Sequence, residues 1–224
     1  MRFGEERRAI YPGVGQWGMP AISYSRTRDA AGTVLEARLH ALAQVVARLC
    51  RKLRLPMPAL TFDHCEEINA GVTGTSPHDA VLYFSAGALL KLTPREAAAV
   101  AAHELAHIAA RDFDDGMAGL ATHRHGTSPL RRMVDWLHIV RWTVAKRRRE
   151  YAADRLAARL IGATPLISAL RKTARDVPRS TRPWLATHPH PRRRIRALEK
   201  LQHARADKPR RVRVARNRRP SRTF

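Results

Sequence analysis

Leu35, Leu39, Leu42, Val46, Leu49 and Leu53 fall at alternating intervals of four and three residues. That period draws one apolar stripe along a helix from Thr33 to Leu55, about six turns long, which Pro56 and Pro58 bring to an end. The pattern then changes. Residues 59–63 (ALTFD), 68–73 (INAGVT) and 80–85 (AVLYFS) are short, partly β-branched runs between turn residues, and they read as strands of a small sheet. In Thr93-Pro94-Arg95-Glu96, Thr93 is placed as N-cap, Pro94 at the first helical position and Glu96 to close a capping box. A helix follows through Ala110, and then a loop over 113–129. Leu130 to about Leu160 reads as one helix or two joined helices. Gly162, a helix near Pro165–Ala174, the turn-rich TRPWLATHPHP and a short helix from Arg192 to His203 complete the pattern. The predicted fold class is α+β, mainly α, with a small β-sheet.

These elements occupy one domain, residues 31–203. Residues 1–30, rich in Gly, Pro and Arg and without a period, form an N-terminal arm. Residues 204–224 form a basic tail. The last twenty residues carry nine basic side chains and one acidic one, with almost nothing to build a core, and should be disordered in isolation. A hydrophobic content of 44% is enough for most of the chain to fold, and an aromatic share of 6% favours close-packed alanine- and leucine-rich helices over an all-β core.

Charge adds a second theme. With 42 Lys+Arg against 19 Asp+Glu, the formal net charge is +23, which draws the surface towards polyanions such as nucleic acid or an anionic membrane. Cys50 and Cys65 form no CxxC pair and read as reduced thiols of a cytoplasmic protein, peripheral at a membrane or nucleic acid. The opening residues lack the apolar run of a signal peptide, and no stretch is apolar for the 18 residues a membrane helix needs. The sequence holds no Gly-rich phosphate loop, so ATP dependence is not expected.

The chemistry begins on the helix opened by Thr93. In His103-Glu104-Leu105-Ala106-His107 the two histidines are four residues apart, which puts them on one face and about 6 Å apart along the axis. Their imidazoles can reach one ion, while Glu104 flanks that face and can touch a metal-bound water without being a ligand. A catalytic zinc takes a third protein ligand. His123, His125, His138, Glu150, His188 and His190 are all downstream candidates. Glu150 stands in a helical stretch with Asp154 one turn on, and Asp154 could accept the free N–H of a ligand histidine. An ordinary helix-surface pair, such as Lys146 with Glu150, is the plain alternative. His123 and His125 sit in a loop and read as surface residues. His64-Cys65 lacks partners at zinc spacing.

Four ordered segments carry a family resemblance. NAGVTG at 69–74 resembles the NAFATG of the HtpX-like and CAAX-prenyl-protease-like zinc metallopeptidases, the gluzincins with HExxH followed by ExxxD. HELAHIAARD at 103–112 resembles their HELAHIxxRD, REYAADRLA at 149–157 their REYxADxxA, and THPHPRRRIRAL at 187–198 their THPPxxxRIxxL. The resemblance spans Leu35 to Leu201. It implies a zincin-like domain with the sheet beside the HExxH helix, and a metalloendopeptidase that cleaves protein or peptide substrates with one zinc ion per chain. His103, His107 and Glu150 would be the zinc ligands, Glu104 the general base and Asp154 the group orienting a ligand histidine. His188, in the THP turn, would help hold the oxyanion. Asn69, Ala70, Gly71 and Val72 would be the edge strand along which an extended peptide lies.

Gly71 departs from the family's Phe, so the adjoining subsite differs. Many relatives carry transmembrane helices, but Arg131, Arg132, Asp135 and Arg141 keep LRRMVDWLHIVRWTVAKRRR from spanning a membrane. The rival reading, from charge alone, is a nucleic-acid- or anionic-membrane-associated basic protein whose metal site is structural or vestigial. Glu104 speaks against it, since a purely structural site has no use for that carboxylate.

Overall fold

The computed structural model describes residues 30–113, 129–176 and 190–206. Helix α1 (Ala30–Leu53) is followed by strands β1 (Ala59–Asp63), β2 (Ala70–Thr73) and β3 (Val81–Ser85). Helices α2 (Ala86–Lys91), α3 (Pro94–Ala110), α4 (Pro129–Leu160), α5 (Ala163–Asp176) and α6 (Pro191–Ala206) complete the described chain. The architecture is α+β and mainly helical, with one three-stranded sheet.

The stripe that predicts α1 is the face it buries: Leu35, Leu39, Leu42, Val46 and Leu49 all lie in the core. The helix stops two residues earlier than its pattern suggests. Arg54 turns left-handed, with φ at 56°, and the Leu55 amide closes back on the Cys50 carbonyl at 3.0 Å.

The strand order is β1-β3-β2, with β1 parallel to β3 and β2 antiparallel to it, so β2 forms an outer edge. Leu60, Leu82 and Phe84 point from the sheet into the core. Helix α2 is absent from the sequence reading, because six residues containing a glycine show no period. Ser85 makes it. Its hydroxyl accepts from the Ala88 amide at 3.0 Å and donates to the Glu67 carbonyl at 2.6 Å, joining a helix N-terminus to the loop before β2. Gly87 is required there, since a Cβ would run into the Glu66 carbonyl.

At the start of α3 the capping box is present. Thr93 accepts from the Glu96 amide at 3.3 Å, and Glu96 accepts from the Thr93 amide at 2.7 Å. The Glu96 carboxylate is buried and also accepts from Ser168 (2.6 Å) and Lys172 (2.7 Å), which ties the head of α3 to α5. Helix α3 is the hub. Its alanines let α1, α4, α5 and β2 approach closely, and Ala99, Ala101 and Ala102 are fully buried among them. The segment from 130 to 160, open in sequence between one helix and two, is a single helix. The arm before residue 30 and the tail after 206 lie outside the described residues.

Candidate metal centre

His103 and His107 occupy successive turns of α3 and are both buried. Their Nε2 atoms are 3.2 Å apart, and the rings meet edge to face with centroids 4.8 Å apart. Glu150, on α4, is 1% exposed and faces both: Oε2 is 3.5 Å from His103 Nε2, and Oε1 is 3.6 Å from His107 Nε2. Ligand atoms at the corners of a tetrahedron with metal bonds of about 2.0–2.1 Å lie roughly 3.4 Å apart. The histidine separation and the two contacts of Glu150, each made by a different oxygen, lie near that spacing, and one ligand atom from each residue falls within 4.8 Å of the others, so the three side chains can hold one metal ion. Among the described residues these are the only three that form such a cluster.

Behind each imidazole stands a carboxylate. His103 Nδ1 is 3.0 Å from Asp154 Oδ1, and His107 Nδ1 is 3.0 Å from Asp112 Oδ2. Each carboxylate selects the tautomer that bears hydrogen on Nδ1 and leaves the Nε2 lone pair facing the centre. Asp112 reaches this place through local structure. Arg111 ends α3 in the left-handed region (φ 54°), and the Asp112 amide then bonds the His107 carbonyl at 2.9 Å. Arg149, the neighbour of Glu150, pairs with the other oxygen of Asp112.

A cation from α6 completes the surround. Arg194 is buried and donates Nε and Nη2 to the two oxygens of Asp154 at 2.9 and 2.6 Å, while its Nη1 is 3.2 Å from Glu150 Oε2. Burial disfavours the charge on Arg194, but Asp154, Glu150 and Glu104 outweigh it and raise the pKa further. Burial likewise opposes the charge on Asp154, yet Arg194 and His103 bring its pKa down to about 2. At His103, burial and the Arg194 charge push the imidazolium down, whereas Asp154 and Glu150 hold its pKa up at about 9. The carboxylates thus favour a positive charge at this point.

The structure brings His103, His107, Glu150 and Asp154 together, with Glu104 on the same helix and partly open to solvent. His188, His123 and His125 lie outside the described residues, as does the side chain of His138. His190 is exposed, and its Nδ1 accepts from the Arg192 amide at 3.2 Å, so it caps α6 and stays out of the cluster. Asn69 precedes β2, and Ala70, Gly71 and Val72 lie on it, with one side paired to β3 and α3 packed nearby. Over Gly71 lies the ring of Tyr83, whose hydroxyl is 2.6 Å from where a Cβ would be. Asp112 and Arg194 were not singled out from the sequence. The signals available were the Asp that ends the HELAHIxxRD-like segment and the Arg of the THPPxxxRIxxL-like one, which fall at these two positions.

The profile of peptidase family M48 matches residues 36–202. The chain belongs to that family. Its relatives include Protease HtpX of Actinobacillus pleuropneumoniae serotype 5b, 28% identical over 177 residues, 63% of this chain and 61% of that protein. Protease HtpX homolog 2 of Methanosarcina acetivorans is 33% identical over 172 residues, again 63% of this chain and 58% of the relative. The chain therefore spans less than two thirds of the length of these M48 relatives. A solved structure, that of S. mikatae Ste24p, aligns with 70% of this chain and 49% of its own at 17% identity and a TM-score of 0.48. No helix among the described residues is long and apolar enough to cross a membrane.

Proposed function

We propose that this M48 member is a zinc-dependent endopeptidase. The observation that carries the proposal is the convergence of His103, His107 and Glu150, from two helices, with one ligand atom of each within 4.8 Å of the others. Two histidines and one glutamate are a donor set that catalytic zinc uses with a fourth position left open. When bound there, zinc supplies Lewis acidity and lowers the pKa of water from 15.7 to about 7.

The protein's own groups do the rest. Asp154 and Asp112 hold the imidazoles in register. Glu104 takes the proton of the attacking water and passes it to the departing amide nitrogen. An extended substrate pairs along the outer edge of β2 at Asn69–Val72, adding a strand to the sheet, and its backbone hydrogen bonds fix the scissile peptide beside α3. His188 donates to the developing oxyanion. Glu104→Gln should therefore keep the metal while hydrolysis of an unfolded protein substrate drops by on the order of 10²–10⁴. Undiminished hydrolysis by that variant would overturn the mechanism.

The net charge of +23 supports a second element of the reading. The basic tail, residues 204–224, tethers the peptidase to a polyanion, and its binding should weaken steeply with salt. Duplex DNA and anionic vesicles, offered separately, tell the two candidate surfaces apart. Binding by a tail-deleted chain as tight as that of the full chain would remove the tether.

A further inference from the structure

Neither metal ligation nor proton transfer uses the Arg194 guanidinium, yet it sits in the middle of the centre. It is 8% exposed, on the first turn of α6, with Leu198 one turn on and also buried. Its fork holds both oxygens of Asp154, and Nη1 approaches Glu150 Oε2 at 3.2 Å. Nη2 lies 3.3 Å from both ring nitrogens of His103, so it faces the ring and engages neither lone pair directly. One side chain from α6 thus touches a ligand on α3, a ligand on α4 and the carboxylate that orients the first.

Two effects of opposite sign follow. As a charge, Arg194 repels a cation at the centre, and its removal would tighten metal binding. As a fork, it holds Glu150 and Asp154 side by side. Without it, two buried carboxylates one helical turn apart lose the cation they share and repel each other. Ligand geometry tolerates only about 0.5 Å of error, so splayed carboxylates cost more than a removed repulsion returns.

We propose that Arg194 is a positioning residue that couples the seating of α6 to zinc binding, by fixing Glu150, Asp154 and His103 together. The coupling is reciprocal: α6 in place favours the ion, and the ion holds α6 in place. This rests on the reading of His103, His107 and Glu150 as zinc ligands.

The test is zinc affinity by chelator competition on the full chain, for wild type, Arg194→Met, Arg194→Lys and Arg193→Met, with amide hydrogen exchange along α6 of the wild type with and without zinc. Arg194→Met should bind about 10- to 100-fold more weakly. Arg194→Lys should remain weakened, since an ammonium restores the charge but not the fork. Arg193, which is exposed on the same turn, should be dispensable. Zinc should slow exchange along α6. A wild type without zinc would fell the zinc reading and this proposal with it. A wild type that binds zinc, beside an Arg194→Met that binds equally well or better, overturns the coupling alone. So does an α6 whose exchange ignores zinc, which decides the matter even if Arg194→Met fails to fold.

Discussion

Two glutamates flank the same pair of histidines and are placed for different work. Glu150 is sealed between helices beside the histidines and Arg194, while Glu104 keeps partial access to solvent, which is what its proposed exchange of protons with water requires. The histidines were legible because four-residue spacing on a helix needs no tertiary information. Glu150 was one of six candidates by spacing, and only the packing of α4 on α3 brings it to the other two. Asp112 and Arg194 stand in the quoted motifs, but what they touch could not be read from them, since their partners lie across a helix end and across helices. Asp112 offers a test at this scale. Asp112→Asn frees His107 to take the wrong tautomer and strips Arg149 of its carboxylate, so zinc affinity should drop by roughly 10- to 100-fold. Chelator competition measures it, and an unchanged affinity would mean that Asp112 does not hold His107.

The head of α3 could be read from four residues, but not what it is fastened to. Thr93 and Glu96 form the capping box that their spacing announces, whereas the further bonds from Ser168 and Lys172 depend on where α5 packs. Burial opposes the charge on Glu96, but those donors bring its pKa to about 2 from an ordinary 4.5. A folded-state value below the unfolded one gives stability that is complete above about pH 4.5 and is lost as the pH falls towards 2. Glu96→Gln should therefore unfold more easily than wild type at neutral pH, with the difference shrinking over that window. Urea unfolding at several pH values checks this, and a constant difference would mean that the ionised carboxylate is not what stabilises the head of α3. Short α2 was invisible because its cause is the Ser85 hydroxyl meeting a loop, a contact no period records.

Over the whole molecule, the hydrophobic stripe of α1 and three short strands were enough to indicate a helical domain with a small sheet. The order β1-β3-β2, which leaves β2 at an edge, was not contained in any periodicity. The alanine-rich α3 is buried on several sides, so its apolar pattern says little about direction, and its neighbours on the core side were set by packing volume. The candidate metal centre gathers this architecture, because α3 carries His103 and His107, α4 carries Glu150 and α6 the arginine behind them. The most direct measurement is zinc per chain in purified wild type and in Glu150→Ala, after loosely held metal has been removed. The account predicts about one zinc in the wild type, as a three-ligand catalytic site implies, and a clear loss in the variant. Equal zinc in both, or none in the wild type, would contradict it.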